Sequence, residues 1–225
     1  MTQASSPSEH VLNTLRDTPT GYVCDALNKL GLSGAMRSIR PARGFEDMRL
    51  VGPALTLEIK PVTGFTGKNL SPYEIYAGAK PGQVSVIAGG GLEKVYTGDN
   101  QANMAKSHGI AGLVIDGGAR DVAGIRGLGL PLWYTGAQTE RHEPGTVISA
   151  VNVPVTVGGI VVNPDDIIVA DEDGVVVIPL HALDAVMTQV IVISEIEEEM
   201  DKLIARGASL NEIQALTARK SAPAT

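Results

Sequence analysis

Val84-Ser85-Val86-Ile87-Ala88-Gly89-Gly90-Gly91 and Ala111-Gly112-Leu113-Val114-Ile115-Asp116-Gly117-Gly118 are the two stretches that decide the fold. Each is a short, unbroken apolar run ending in glycine. Such runs suit strands buried on both faces. Between them, Gly98 to Gly109 has room for a helix with Asp99 near its start. Beyond them, Val122–Leu128 reads as a short helix and Leu132–Thr135 as a further strand. The order strand, helix, strand, helix, strand predicts an α/β core with parallel pairing.

The flanks extend this pattern. Val11, Leu12 and Leu15 mark a first helix that ends near Thr18-Pro19. Thr20 reads as the N-cap of a second helix, with Val23, Ala26, Leu27 and Leu30 on its apolar face and Gly31 as its stop. Val51 to Ile59 reads as a strand. Residues 61–82 read as a long loop with a short helix. Val153–Val157, Gly159–Val162, Ile167–Ala170 and Val175–Ile178 form a β-rich end. A long amphipathic helix starts at Pro179 and stops at Gly207, and Leu210–Thr217 adds a last turn or two. Residues 1–8 are polar and read as frayed. The turn Lys80-Pro81-Gly82-Gln83 is echoed by Asn163-Pro164-Asp165-Asp166, each launching an apolar strand. The 225 residues therefore read as one domain, with residues 180–225 as a helical extension.

Composition narrows the function classes. The chain is 44% hydrophobic but only 4% aromatic, and its formal net charge is −7. The bases are scattered, with no basic stripe to neutralise phosphates, so nucleic acid is not an expected partner. No apolar run reaches membrane-spanning length and the start lacks a signal-peptide pattern, so a soluble cytoplasmic protein is expected. One cysteine, Cys24, excludes an internal disulfide framework and a Cys-rich zinc site. It lies on a helix and reads as a buried structural thiol.

Common cofactor loops fail. Gly127-Leu128-Gly129 lacks the third glycine of a dinucleotide loop, and Gly64 to Asn69 lacks the Walker A spacing. His108 reads as a helix end, His142 as part of a charged turn and His181 as a helix start. No two histidines have metal-ligand spacing.

The strongest constellation spans Gly89 to Asp121. Two strand ends carry glycines, carboxylates and an arginine, and ligands collect at such ends in open α/β sheets. Glycine lets backbone amides approach an anion, and a helix N-terminus adds positive potential. A carboxylate holds a hard cation, and a neighbouring arginine stabilises a developing oxyanion. Each residue also has a plain structural reading: Asp99 as an N-cap, Asp116-Gly117 as a turn, Arg120-Asp121 as a surface pair.

The spacing separates these readings. Asp99, twenty intervening residues and then Arg120-Asp121 resembles the signature of the class II pyruvate aldolases of the 4-hydroxy-4-methyl-2-oxoglutarate (HMG) aldolase group. That group lies within the RraA-like family. Thr20 to Leu27, Gly52-Pro53-Ala54, Ile115 to Asp121, Val151 to Val155 and Asp171 to Pro179 resemble further family segments, so the likeness covers about residues 18–205.

The resemblance implies an α/β/β swivelling-type domain with a mixed sheet, assembled as a trimer or a dimer of trimers with active sites between subunits. It implies a Mg²⁺- or Mn²⁺-dependent lyase that cleaves a small 2-oxo acid by retro-aldol chemistry and decarboxylates oxaloacetate through the same enolate. By position, Asp121 would be the direct metal ligand. Arg120 would bind the keto oxygen and steady the pyruvate enolate. Asp99 would orient a water for proton transfer. Gly98 and the backbone amides of Asn100 and Gln101 would hold the substrate carboxylate. The acidic run Glu195, Glu197, Glu198 and Glu199 reads as a solvated helix face with a Glu198–Lys202 pair, and the resemblance allows one such glutamate of a neighbouring subunit to reach the metal's water shell.

Other readings stay open on the same scaffold. One is a non-catalytic regulator that binds an RNA-processing enzyme. Another is a lyase for a different hydroxylated keto or sugar acid. Asn100 and Gln101 stand where HMG aldolases more often carry apolar residues; they contact a more polar substrate or cap the helix. Lys68, Asn69 and Tyr73 either line the pocket or belong to an ordinary loop or subunit contact.

Overall fold

The computed structural model describes residues 7–224. In chain order the elements are α1 (Glu9–Asp17), α2 (Thr20–Lys29), β1 (Arg40–Pro41), β2 (Leu50–Pro61), α3 (Pro72–Ala77), β3 (Val84–Thr97), α4 (Asp99–Ser107), β4 (Gly112–Ala119), α5 (Val122–Leu128) and β5 (Leu132–Ala137). There follow β6 (Thr146–Val151), β7 (Val155–Val157), β8 (Ile160–Val162), β9 (Ile167–Asp171), β10 (Gly174–Ile178), a 3₁₀ turn at Leu180–Ala182, α6 (Leu183–Ala205) and α7 (Leu210–Ser221).

The main sheet runs β1-β5-β4-β3-β2-β9-β10, with β6 also on β2. The strands β2, β3, β4 and β5 are parallel, as the alternating order requires. The pairs β1–β5, β2–β9, β2–β6 and β9–β10 are antiparallel. Strand β2 is the hinge of the architecture. Residues 50–53 pair with β9, residues 54–58 with β3 and residues 57–61 with β6.

Side-chain alternation divides the interior into three layers of contact. On β4, Leu113 and Ile115 enter a core under α3, α4 and α5, while Val114 faces the opposite core. On β9 and β10, Ile168, Ala170, Val175 and Val177 join Val114 and Trp133, whereas Ile167, Val169, Val176 and Ile178 turn outward. That outward set is covered by Leu15, Val23 and Leu27 and by Val186 and Val190 of α6. The result is helix layer, sheet, sheet and an outer helical cover, which is the expected α/β/β arrangement with N-terminal helices and a long C-terminal helix.

Buried Asp171 ties the outer cover to the sheets. Its carboxylate accepts from Thr20 N at 2.9 Å, Thr20 Oγ1 at 2.7 Å and Asp173 N at 3.0 Å, with Arg49 at 3.4 Å. Thr20 is therefore not the N-cap that the sequence suggests. Pro19 holds that position, and Asp171 satisfies the helix start from 151 residues away.

The glycine triplet also differs from its reading. Gly89 to Gly91 do not end β3, which bulges there and continues to Thr97. Gly90 and Gly91 adopt φ of 68° and 69°. A side chain on Gly89 would meet the Tyr96 ring at 2.3 Å, so the glycine makes room for an aromatic rather than for an anion. Strands β1 and β6 escaped the sequence reading, and α7 spans twelve residues rather than a turn or two. The echoed turns are real: Lys80 N donates to Gln83 Oε1 at 2.9 Å and Asn163 N to Asp166 Oδ2 at 2.8 Å. Of the segment read as frayed, residues 1–6 lie outside the described residues.

Candidate active site

Strands β3 and β4 are parallel neighbours, so their carboxyl ends lie side by side. Thr97 pairs with Ala119, and Arg120 N donates to Thr97 O at 3.1 Å. From these ends the chain enters α4 through Gly98-Asp99 and α5 through Arg120-Asp121. The twenty residues separating Asp99 from Arg120 are thus one helix and one return strand. All of Gly98, Asp99, Asn100, Gln101, Arg120 and Asp121 line one cleft of about 450 Å³.

Two glycines set the spacing. A β-carbon on Gly98 would stand 2.9 Å from Asp121 Oδ2, and one on Gly124 would stand 3.1 Å from the β-carbon of Asp99. Each lets a carboxylate approach the neighbouring helix start. Asp121 itself has φ 55° and ψ 32°, a left-handed conformation that aspartate tolerates better than most residues. It stands at the N-cap of α5, yet its side chain makes no capping hydrogen bond there. The carboxylate therefore stays at the cleft, half-exposed and 3.4 Å from Arg120 Nε. Asp99 Oδ1 accepts from Asn100 N at 2.8 Å. That bond engages one of the two amides expected to hold a substrate carboxylate. Gln101 belongs to the first turn of α4, where no intrahelical acceptor serves its amide.

The opposite wall comes from residues far away in sequence. Val95 N donates to Glu140 O at 2.8 Å and His142 N to Val95 O at 3.2 Å, which brings the 140–146 turn alongside β3. His142 stacks on Tyr96 with centroids 5.0 Å apart. Its Nδ1 lies 3.0 Å from Thr146 Oγ1. Burial pushes its pKa down, Arg141 acting in the same direction and Glu143 and a hydrogen bond with the Thr146 backbone opposing. Burial, with Asp116 nearby, pushes the Tyr96 phenol up. Glu143 accepts from Arg141 at 2.6 Å and from Asn69 Nδ2 at 3.0 Å, while Asn69 Oδ1 accepts from Ile148 N at 2.9 Å. Asn69 and Tyr73 line the cleft; Lys68 does not and faces Glu74 at 3.6 Å.

The expected residues Gly98, Asp99, Asn100, Gln101, Arg120 and Asp121 are therefore brought together. Sequence reasoning missed Tyr96, Arg141, His142 and Glu143 as cleft residues. The charged run Glu140-Arg141-His142-Glu143 was the available signal, but its place depends on the long-range pairing with Val95. The glutamates of α6 do not line the cleft in this chain. Glu197 and Glu199 pair with Lys220 and Arg219 of α7, and Glu198 with Lys202 as expected. Cys24 is only half-buried, with its thiol pushed up by burial and thus held protonated.

A second cavity of about 490 Å³ lies by Lys80, Gln83, Asn152 and Asp165. It sits at the opposite, amino-terminal end of β3, where open α/β sheets do not collect ligands. Among the described residues, no group of three or more His, Cys, Asp or Glu is placed to hold a metal. A metal in the cleft would be held by carboxylate and by water. Such an oxygen set fits Mg²⁺ or Mn²⁺ and not a structural zinc. Buried Thr97 Oγ1, beside the cleft, has no hydrogen-bond partner among the described residues. No helix of the structure is long and apolar enough to cross a membrane.

Comparison with known proteins identifies the family. A protein of Halalkalibacterium halodurans named "Putative 4-hydroxy-4-methyl-2-oxoglutarate aldolase" is 37% identical over 169 residues, covering 75% of this chain and 76% of that one. An uncharacterised protein from Pseudomonas syringae pv. tomato superposes with a TM-score of 0.83 at 27% identity, over 96% of this chain and 97% of that one. The Streptomyces coelicolor protein RraAS2, described as an unusual member of the RNase ES inhibitor RraA family, gives 0.78 at 28% identity, over 87% and 98% of the two chains. The RraA-like family model, Aldolase/RraA, matches residues 20–177. With the Asp99 and Arg120-Asp121 junctions inside that span, the chain belongs to the RraA-like Aldolase/RraA family.

Proposed function

We propose that this protein is a divalent-metal-dependent lyase that cleaves HMG, or a related 4-hydroxy-2-oxo acid, to pyruvate and decarboxylates oxaloacetate. One observation carries the reading: the Gly98-Asp99 and Arg120-Asp121 junctions meet in a single cleft at the carboxyl ends of adjacent parallel strands. The likeness to proteins named as HMG aldolases supports the same reading.

The charges are consistent with it. The cleft carries Arg120 and Arg141 against Asp99, Asp121 and Glu143. That balance repels a 2-oxo dianion until a dication is added. Asp121 would hold Mg²⁺ or Mn²⁺, and Asp99 would fix a water of its shell. When bound, such an ion supplies Lewis-acid polarisation of a carbonyl.

The chain's own groups account for the rest. Arg120 binds the keto oxygen through its guanidinium and stabilises negative charge as the C3–C4 bond breaks. The first turn of α4 receives the substrate carboxylate through the Gln101 amide and the helix N-terminal potential. The residual wall, from Asn69 to Tyr73 and from Arg141 to Glu143, surrounds the distal part of the substrate. An assembly of three or six copies, with sites between subunits, belongs to the same proposal.

The test is pyruvate release from HMG and from oxaloacetate with Mg²⁺ or Mn²⁺, repeated after EDTA. Metal-dependent pyruvate from either supports the reading, and none from both overturns it. Arg120→Lys should lose most of the activity, because a point charge does not reproduce the planar fork. The likeness to RraAS2 favours a second reading, a regulator of an RNA-processing enzyme. Such a protein would bind its partner undiminished as Asp121→Asn.

A further inference from the structure

His142 is the one imidazole in the cleft, and three contacts fix it. The ring face rests on Tyr96 with centroids 5.0 Å apart, the backbone N–H donates to Val95 O, and Nδ1 lies 3.0 Å from Thr146 Oγ1. Thr146 Oγ1 also lies 3.4 Å from His142 O, to which it donates. With its hydrogen directed there, this hydroxyl presents a lone pair to Nδ1, an arrangement that favours the tautomer with the ring proton on Nδ1. Nε2 then holds the unshared pair of a base. Tyr96 offers no competing acid or base, because its hydroxyl donates to Gly89 O at 3.1 Å. The three carboxylates of the cleft are committed elsewhere. Asp99 is bonded to Asn100 N, Asp121 lies against Arg120, and Glu143 is held by Arg141 and Asn69.

Resting on the retro-aldol reading above, we propose that His142 Nε2 accepts the proton of the substrate's 4-hydroxyl. As the O–H bond breaks, its electron pair forms the new C4 carbonyl. The C3–C4 pair becomes the pyruvate enolate beside Arg120. The imidazolium then returns the proton to C3, so no proton is gained or lost overall. Oxaloacetate needs none of this for its bond-breaking step, because carbon dioxide leaves from a carboxylate already ionised. The two reactions of one cleft therefore differ in their demand on His142.

Tyr96 from β3 stacks on the ring, and the charged or titratable groups that share the cleft with it are Glu143 and Arg141 from its own turn, Tyr73, Asp99, Arg120 and Asp121. Burial outweighs Glu143 and holds the imidazole below the usual histidine value, which favours its neutral form.

The experiment compares both activities in wild type, His142→Asn and Thr146→Val. Asparagine restores a donor near Nδ1 and removes Nε2. Loss of a general base costs roughly 10²- to 10⁴-fold. His142→Asn is thus expected to lower HMG cleavage by at least about a hundredfold, and by at least about tenfold more than it lowers oxaloacetate consumption. The acid limb of the wild-type cleavage profile, lying below the usual histidine range, should vanish in this variant. Thr146→Val, which frees the ring without deleting it, should lower cleavage less than His142→Asn does. A parallel fall of both activities would show a packing role and overturn the proposal, and so would unchanged HMG cleavage. Wild-type protein that forms pyruvate from neither HMG nor oxaloacetate would overturn the lyase reading itself, whereas oxaloacetate decarboxylation without HMG cleavage would overturn this assignment alone.

Discussion

Gly98→Ala probes the geometry of the cleft with a single methyl group. At φ −141° and ψ −176° the backbone is extended, and alanine adopts it freely. The new β-carbon would stand 2.9 Å from Asp121 Oδ2 and 3.5 Å from Arg120 Cγ and Nε. Ordinary contact begins about 0.5 Å further out, so the Asp121 carboxylate must swing by about that much. A displacement of about 1 Å at a reacting centre can cost about a hundredfold, so about tenfold in kcat/KM is expected here.

Stability should hardly change. Alanine is a poorer N-cap than glycine by up to about 1 kcal/mol. Its smaller unfolded-state entropy recovers about 0.4–1 kcal/mol. The melting temperature should stay within about 3 °C for a chain of this size. Gly127→Ala is the control. Its β-carbon would meet nothing within 4 Å, and its place inside α5 favours alanine by about 1 kcal/mol. That variant should melt higher with full activity. The assay is pyruvate formation against metal concentration, beside thermal unfolding of all three proteins. Gly98→Ala with wild-type kcat/KM and metal affinity would refute the claim that Asp121 works at the position seen.

Three further outcomes follow from the same structure. Asp121→Asn keeps the side-chain shape and the tolerance of a left-handed backbone, so it should melt like wild type but lose Mn²⁺ binding in a calorimetric titration. Asp171→Ala removes a buried carboxylate from Thr20, Asp173 and Arg49. A loss of about 3 kcal/mol, seen as a melting temperature lower by roughly 6–12 °C, is expected. Asp116 has its pKa raised, chiefly by burial and against the amides of Gly158 and Gly91. A raised carboxyl binds its proton more tightly folded than unfolded, so stability falls as pH rises above the ordinary aspartate range. Asp116→Asn should therefore melt above wild type at neutral pH, with the advantage vanishing in acid, and an advantage that grows in acid would contradict the assignment.

The alternation of apolar runs and helices made the parallel core readable, and Val122–Leu128 is a helix over the span expected. Local signals failed where a distant partner decides. Gly89 to Gly91 resemble a strand end, yet Tyr96, seven residues after Gly89, claims the space and the strand bulges onward. Thr20 has cap chemistry, but Asp171 reaches its amide first. At the site, Asp99 and Arg120-Asp121 were legible because one helix and one strand fix their separation. His142 and Arg141 were not, because they reach the cleft through pairing of the 140–146 turn with Val95, which leaves no periodic trace.

Exchange of pyruvate methyl hydrogens for deuterium, followed by proton NMR in D₂O, tests the central claim most directly. It asks only whether the Arg120–Asp121 junction generates an enolate. Wild-type protein with Mg²⁺ or Mn²⁺ should erase the methyl signal, EDTA should stop the loss, and Arg120→Lys should nearly abolish it. A methyl signal that decays no faster with protein and excess metal than with metal alone would contradict the account.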